Sequence, residues 1–282
     1  MANNTIFAAY NLTKSRLSAA GIEDFGFEAR VIMRHITGFD NKKIMLNYNT
    51  PLTPGESRRL DDIVNRRIAR YPLQYILGEW SFYGLDFKVG EGVLIPRADS
   101  ETAVETALEL IKDIKAPKVL DLCAGSGAIG ISVAANRPDS SVLLLEKSEE
   151  AAKYLKENIM RNSPDNARYV SGDVFAGDGA GEYDLIISNP PYVRTKDLKR
   201  LQPEVLFEPA AALDGGEDGL DFYNAITKNY KKSLKIGGYL CFEVGINQAK
   251  SVAGILDSAG FDGIGVRKDL NGIDRVVFGT VG

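Results

Sequence analysis

Histidine is almost missing from this chain: His35 is the only one in 282 residues. Mechanisms that need a histidine base beside a nucleophile, or two histidines on a metal, are therefore disfavoured, and no metal is expected. His35 lies in the helical stretch EARVIMRHITG and reads as structural or solvent-facing. Cysteine is nearly as scarce. Cys123 and Cys241 are too few for a disulfide framework or a Cys-rich zinc site, and they suit a reducing cytoplasm. No run of about 18 apolar residues is present, so no membrane span is expected. The opening MANNTIFAAYNLTK lacks a basic region followed by an apolar core, and no secretory signal is expected.

An excess of positive charge is also lacking. The net charge is −4 and the pI about 5.3, whereas a protein that grips long nucleic acid usually carries a basic surface. The charge is unevenly divided. Residues 1–78 carry 11 Lys and Arg against 7 Asp and Glu, and the remainder carries 23 against 31. The smaller part could meet an acidic partner or RNA; the larger part is no obvious polyanion binder.

What is present is an ordered alternation. Residues 1–78 read as helical. Thr53, Pro54 and Glu56 predict a capped helix start, followed by Leu60, Ile63, Val64 and Ile68 at helical spacing and ended by Pro72. Arg58, Arg59, Arg66, Arg67 and Arg70 decorate this helix, either as a solvated face or as a docking face. Residues 79–95, EWSFYGLDFKVGEGVLI, predict a β-hairpin linker. From residue 96 to 282 strands and helices alternate, which predicts an α/β, Rossmann-like, mostly parallel sheet covered by helices on both faces. Ligands in such sheets bind at the C-terminal strand ends.

The first of these strands runs into Asp121, Leu122, Cys123, Ala124, Gly125, Ser126 and Gly127, after which a helix begins. Glycines here let the backbone approach a ligand, and the helix start adds free N–H groups. Gly125, Gly127 and Gly130 satisfy G-x-G-x-x-G, so a dinucleotide reading is open. Glu146, at the end of the next strand, can accept from both hydroxyls of an adenosine ribose, a group common to NAD and S-adenosylmethionine. Three features favour the latter. Asp121 can face the cationic end of a methionine-bearing cofactor. Asp173 can accept from an adenine amino group, with Val174 and Phe175 against the ring. Asn189-Pro190-Pro191-Tyr192 follows the fourth strand, where a dehydrogenase has no use for it.

Two consecutive prolines stiffen a loop and donate no main-chain hydrogen bonds. The Asn189 side-chain oxygen and the Pro190 carbonyl can each accept one N–H of a planar –NH₂ group, while Tyr192 walls the substrate. Amide nitrogen is a poor nucleophile, and two acceptors on its hydrogens stabilise the charge that develops in the transition state. No strong base is needed, in keeping with the missing histidine. The same loop would serve an exocyclic amine of adenine or guanine, which would normally come with a target-recognition domain or a basic cleft.

Several ordered segments resemble the release-factor glutamine methyltransferase family along essentially the whole chain. They are YPLQYILGEWSFYGLDFKV, VLIPRADSE, VLDLCAGSGAIG, SGDVF, IISNPPYV, FEPAAALDGGEDGLDFY, GGYLCFEVG and DLNGIDRVV. The resemblance implies a small helical N-terminal domain for substrate recognition, a hairpin linker and a seven-stranded methyltransferase domain. It implies methylation of the glutamine of the Gly-Gly-Gln motif in class 1 translation release factors, hence a role in translation termination. It also implies that Asn189, Pro190, Pro191 and Tyr192 hold the target amide. Asp121, Cys123, Ala124, Gly125, Ser126, Gly127, Glu146, Asp173, Val174 and Asn189 would hold S-adenosylmethionine. Departures from the family pattern are Cys123 where Gly is usual, Glu146 where Asp is usual, and Pro96-Arg97-Ala98-Asp99-Ser100-Glu101 for Pro-Arg-Pro-(Glu/Asp)-Thr-Glu. The rival readings are a methyltransferase acting on a ribosomal-protein glutamine or a nucleobase, and a non-catalytic module that docks through its N-terminal helices.

Overall fold

The computed structural model describes residues 5–163, 165–179 and 181–282, so the first four residues of the opening segment lie outside the described residues. The chain divides into two compact units.

The first unit comprises the described residues up to Gly78 together with Pro203–Phe207. Its helices are α1 (Ile6–Ala19), α2 (Phe25–Thr37), α3 (Asn41–Leu46), α4 (Pro54–Ile68) and α5 (Leu73–Leu77). Leu17, Ile32, Met33 and Val64 are fully buried and belong to its apolar core. The start of α4 is as the sequence predicts. Glu56 N–H donates to Thr53 Oγ1 at 3.2 Å, and Thr53 N–H donates to Glu56 Oε2 at 2.7 Å. A cap of this kind is worth about 1 kcal/mol. His35 is exposed on α2.

The arginines of α4 do not form one solvated face. Arg58, Arg59 and Arg66 are exposed, but Arg67 is only 5% exposed. Its guanidinium forks onto Glu28, with Nε to Oε2 at 2.7 Å, and reaches Glu204 at 2.9 Å. Arg70 also donates to Glu204, at 3.0 Å, and to the carbonyls of Ala20 and Gly21. A buried cation needs such partners, and one of them stands 137 positions away, out of reach of any local pattern.

The second unit comprises Glu79–Gln202 and Glu208–Gly282. It opens with the antiparallel hairpin β1 (Glu79–Phe82) and β2 (Leu85–Lys88). Tyr83 and Gly84, at φ 49° and 75°, make the two-residue turn whose twist suits a hairpin. Then come α6 (Glu101–Leu110), β3 (Lys118–Leu122), α7 (Ala128–Asn136), β4 (Ser141–Glu146), α8 (Glu149–Asn162), β5 (Ala167–Ser171) and β6 (Tyr183–Ser188). The chain closes with α9 (Asp221–Tyr230), β7 (Leu234–Glu243), α10 (Ala249–Ser258), β8 (Asp262–Lys268) and β9 (Asp274–Thr280).

β3 to β9 form one seven-stranded sheet in the order β5-β4-β3-β6-β7-β9-β8. The first five strands run parallel; β9 is antiparallel to both β7 and β8. Side chains alternate between two cores. Val119, Leu185, Ile187 and Cys241 face α6, α7 and α8, whereas Leu120, Ile186, Leu240 and Phe242 face α9 and α10. Burial on both faces explains why these strands read as continuous apolar runs. Strand order reverses between β4 and β6, on either side of β3, so a crevice opens beyond the C-terminal ends of β3 and β6. No helix among the described residues is long and apolar enough to cross a membrane.

Candidate active site

A cavity of about 430 Å³ occupies that crevice. The segment after β3 turns sharply into α7, with Cys123, Gly125 and Gly127 at φ 58°, 57° and 83°. Cys123 is thus a non-glycine residue in a left-handed conformation, one that glycine adopts without strain. Burial pushes its thiol up, so it is held protonated. Gly130 lies against β3. A Cβ there would stand 2.7 Å from Asp121 Oδ2 and 2.9 Å from Leu144 Cδ2.

Asp121 lines the cavity yet is only 1% exposed. Its Oδ2 accepts from Gly130 N–H at 2.8 Å. Burial raises this carboxyl to about 7. Glu146, at the end of β4, accepts from Gly125 N–H at 2.8 Å and from Ser148 N–H at 2.7 Å, which fixes both oxygens beside the turn. Asp173 follows β5. It accepts from Phe175 N–H at 2.9 Å and pairs with Lys147 Nζ at 2.8 Å, and the Lys147 contact holds its carboxyl below the usual carboxylate range. Val174 is buried and Phe175 half-exposed, its ring set edge-on to Phe222 with centroids 4.8 Å apart. On α9, Asn229 holds the carbonyls of Val174 and Phe175, at 3.0 and 3.1 Å.

Asn189 and Pro191 reach the same cavity from the end of β6. Of the residues singled out in the sequence, Asp121, Cys123, Ala124, Gly125, Ser126, Glu146, Asp173, Val174, Asn189 and Pro191 line it, and Gly127, Pro190 and Tyr192 do not. Gly127 packs instead under Leu155 and Ile131. Burial, with the Glu243 charge second, pushes the Tyr192 hydroxyl up to about 12, so it stays a neutral phenol.

The Asn-Pro-Pro-Tyr loop is braced by residues that sequence reasoning missed or left without a role. Gln248 Nε2 donates to the carbonyls of Tyr192 and Gly219, at 3.0 and 3.2 Å, while its Oε1 accepts from Gly245 N–H. Gly215 N–H donates to the Val193 carbonyl at 2.8 Å. A Cβ at Gly215 would lie 2.7 Å from the Pro191 carbonyl oxygen and from Tyr192 Cα, so the glycine pair of the DGGEDG run permits this close approach. Glu208, in the same run of motifs, is buried; it accepts from Ile95 N–H at 3.0 Å and holds Arg97. Asn158 of α8 ties the hairpin to the turn after β3 by donating to the carbonyls of Lys88 and Ser126, at 3.0 and 2.9 Å. Apart from Gln248 and Gly245, these partners lie tens of residues apart, and only the fold brings them together.

This sheet order, with a loop-lined cavity at the end of its first strand, is the architecture of class I methyltransferases, which use S-adenosylmethionine as methyl donor. The chain superposes on the hMettl16 catalytic domain, solved in complex with a MAT2A 3'UTR hairpin, with a TM-score of 0.58 over 82% of this chain and 83% of that one, at 15% identity. That likeness is one of fold. Residues 8–78 match the PrmC N-terminal domain and residues 96–240 the methyltransferase small domain. The release factor glutamine methyltransferase of Geobacter sulfurreducens is 41% identical over 279 residues, which is 99% of this chain and 97% of that one. That of Thermodesulfovibrio yellowstonii is 42% identical over 254 residues, 89% and 90% of the two chains. The chain belongs to the release factor glutamine methyltransferase family, and it is a methyltransferase.

Proposed function

We propose that the enzyme transfers a methyl group from S-adenosylmethionine to the side-chain amide nitrogen of the glutamine in the Gly-Gly-Gln motif of class 1 release factors. The observation that carries this reading is that Asn189 opens onto the same cavity as Glu146 and Asp173. A planar amide nitrogen held by the Asn189 oxygen and the Pro190 carbonyl then meets the methyl donor. The names of the relatives point to the same protein class.

The donor set suits the cofactor. Glu146 would accept from the ribose hydroxyls, Asp173 from the adenine amino group, and Val174 would pack on the ring. Asp121, Cys123, Ala124, Gly125 and Ser126 would surround the methionine end, where nothing lies within 4 Å of a Cβ added at Gly125, and Gly127 would support the turn from behind. Asn189 would stand between cofactor and substrate. The cofactor supplies an electrophilic methyl on a sulfonium; the protein aligns the acceptor with it. A Gly-Gly-Gln loop, with no side chain before its glutamine, can enter a narrow mouth. Residues 1–78 are assigned to recognition of the release factor, residues 79–95 to the link, and residues 96–282 to transfer. No stable nucleic-acid complex is expected at a net charge of −4, and a cytoplasmic location fits two free cysteines.

The test is transfer of labelled methyl to purified, unmodified release factor, with a Gln→Ala change in its Gly-Gly-Gln motif as control. Label lost in the control supports the reading. Label on ribosomal protein or RNA instead overturns the substrate and keeps the chemistry.

A further inference from the structure

A loop whose residues before the glutamine are glycines offers an enzyme little but its main chain. Once such a loop enters a cavity, its carbonyl oxygens leave water and need donors, because a buried acceptor left unpaired is costly. Pro190 and Pro191 have no N–H to give. The Asn189 oxygen is assigned to the target nitrogen and is no donor. A donor for the loop must therefore stand elsewhere on the wall.

Among the described residues, Arg97 is the only arginine that lines the cavity. The other lining cation, Lys147, is paired with Asp173 at 2.8 Å, beside the strand end assigned to adenine. Arg97 belongs to the Asn189 side. Ser100, in the turn that follows it, has its hydroxyl 3.5 Å from Asn189 Nδ2.

The guanidinium is held from behind. Glu208, its side chain only 1% exposed, accepts from Arg97 Nη2 through Oε1 and from Ile95 N–H through Oε2 at 3.0 Å. Both carboxylate oxygens are thus engaged. Asp99, just beyond Arg97, is tied at 3.2 Å to the buried Arg275 of the DLNGIDRVV segment, which braces the following turn. Glu208 occupies only one of the five N–H groups of the guanidinium. Among the described residues Arg97 makes no other hydrogen bond, and 39% of its side chain is exposed. A lysine would neutralise Glu208 as well. Only a planar fork held along one edge presents its remaining N–H groups in a fixed plane.

We propose that Arg97 is a substrate-binding residue: its guanidinium, oriented by Glu208, donates to a main-chain carbonyl of the release-factor loop that carries the target glutamine. This rests on the reading of that loop as the substrate. Arg97 then reads the loop's backbone, while Asn189 and Pro190 read the amide at its tip.

The test is steady-state methyl transfer to release factor by the full chain, with binding of S-adenosylmethionine followed by calorimetry and folding by thermal melting. Removing Arg97 alone would leave a buried carboxylate unpaired. The variant carrying both Arg97→Met and Glu208→Gln is therefore measured beside Arg97→Lys. In the double variant the KM for release factor is expected to rise about ten- to hundredfold, the scale of one lost hydrogen bond from a charged donor. Its kcat should stay within about threefold and its cofactor affinity within about twofold of the unaltered enzyme. Arg97→Lys keeps the charge beside Glu208 and loses the fork, so it should show much of the same rise in KM with an unchanged melting temperature. An unchanged KM in the double variant overturns the proposal, whatever its melting temperature. So does a loss of cofactor affinity that matches the loss of kcat/KM, which would move Arg97 to the carboxylate of the methionine end. Absence of transfer by the unaltered enzyme overturns the substrate reading, and this inference with it.

Discussion

Gln248 donates to the Tyr192 carbonyl at 3.0 Å and so joins the N-cap of α10 to the last residue of the Asn-Pro-Pro-Tyr loop. The same amide spans to Gly219 and Gly245, so one side chain fixes three strands of backbone around the site. Gln248→Ala is expected to destabilise the protein by about 1–3 kcal/mol, because buried main-chain groups lose partners. It should also lower kcat more than cofactor affinity, because a displaced loop misaligns the acceptor. Urea unfolding and steady-state transfer read the two effects. A variant with full kcat would separate Gln248 from the loop's function.

Asn189→Ala removes the side-chain acceptor and leaves the cavity's other walls in place. The expected result is a loss of about 10²–10³ in turnover. Binding of S-adenosylmethionine should be largely kept. Calorimetry beside a transfer assay checks this, and unchanged turnover would remove Asn189 from the chemistry.

Cys123 offers a test of backbone strain. At φ 58° a side chain costs roughly 1–2 kcal/mol that glycine does not incur, partly offset by the greater freedom of unfolded glycine. Cys123→Gly should therefore stay within about 1 kcal/mol of the starting stability. Cys123→Val, β-branched in the same conformation, should melt clearly lower. Equal melting temperatures for the two variants would argue against a strained turn.

Glu243 gives the stability a pH dependence of definite sign. Burial first, moderated by Ser100, Arg275 and Arg97 and reinforced by Asp99, raises its carboxyl from an ordinary 4.5 to about 7. Below pH 4.5 the group is protonated in both folded and unfolded chains, and its contribution is fully present. As pH rises through 7 the unfolded chain has already ionised, and that contribution is lost. Glu243→Gln removes this slope. Relative to the unaltered protein, the variant should gain up to about 3 kcal/mol between pH 4.5 and 8. Urea midpoints at pH 5 and pH 8 measure the difference, and a constant difference would contradict the raised value.

Most of the fold could be read locally. The α4 start needed only Thr53, Pro54 and Glu56, and the strands announced themselves as apolar runs because both faces of the sheet are covered. The cavity-lining residues were legible because they sit where strand ends meet turns. What stayed hidden depends on distance along the chain. Arg67 looks like one more surface arginine until Glu204 is seen beside it. Ser100 reads as a conservative replacement for threonine until Asn189 Nδ2 is found 3.5 Å from its hydroxyl. Asp121 could be matched to a loop by sequence, but its bond to Gly130 required the coordinates.

The carboxylate that Arg67 and Arg70 share has a consequence for the order of events on the ribosome. The five helices of the first unit leave the exit tunnel early, with Glu28 already at hand for Arg67. Glu204 follows 137 residues after Arg67. At bacterial-type elongation of about 5–20 residues per second, that is a wait of roughly 7–27 s. During that interval the nascent helices hold a cation short of one partner. The unit that comes first in the chain is thus among the last to be finished.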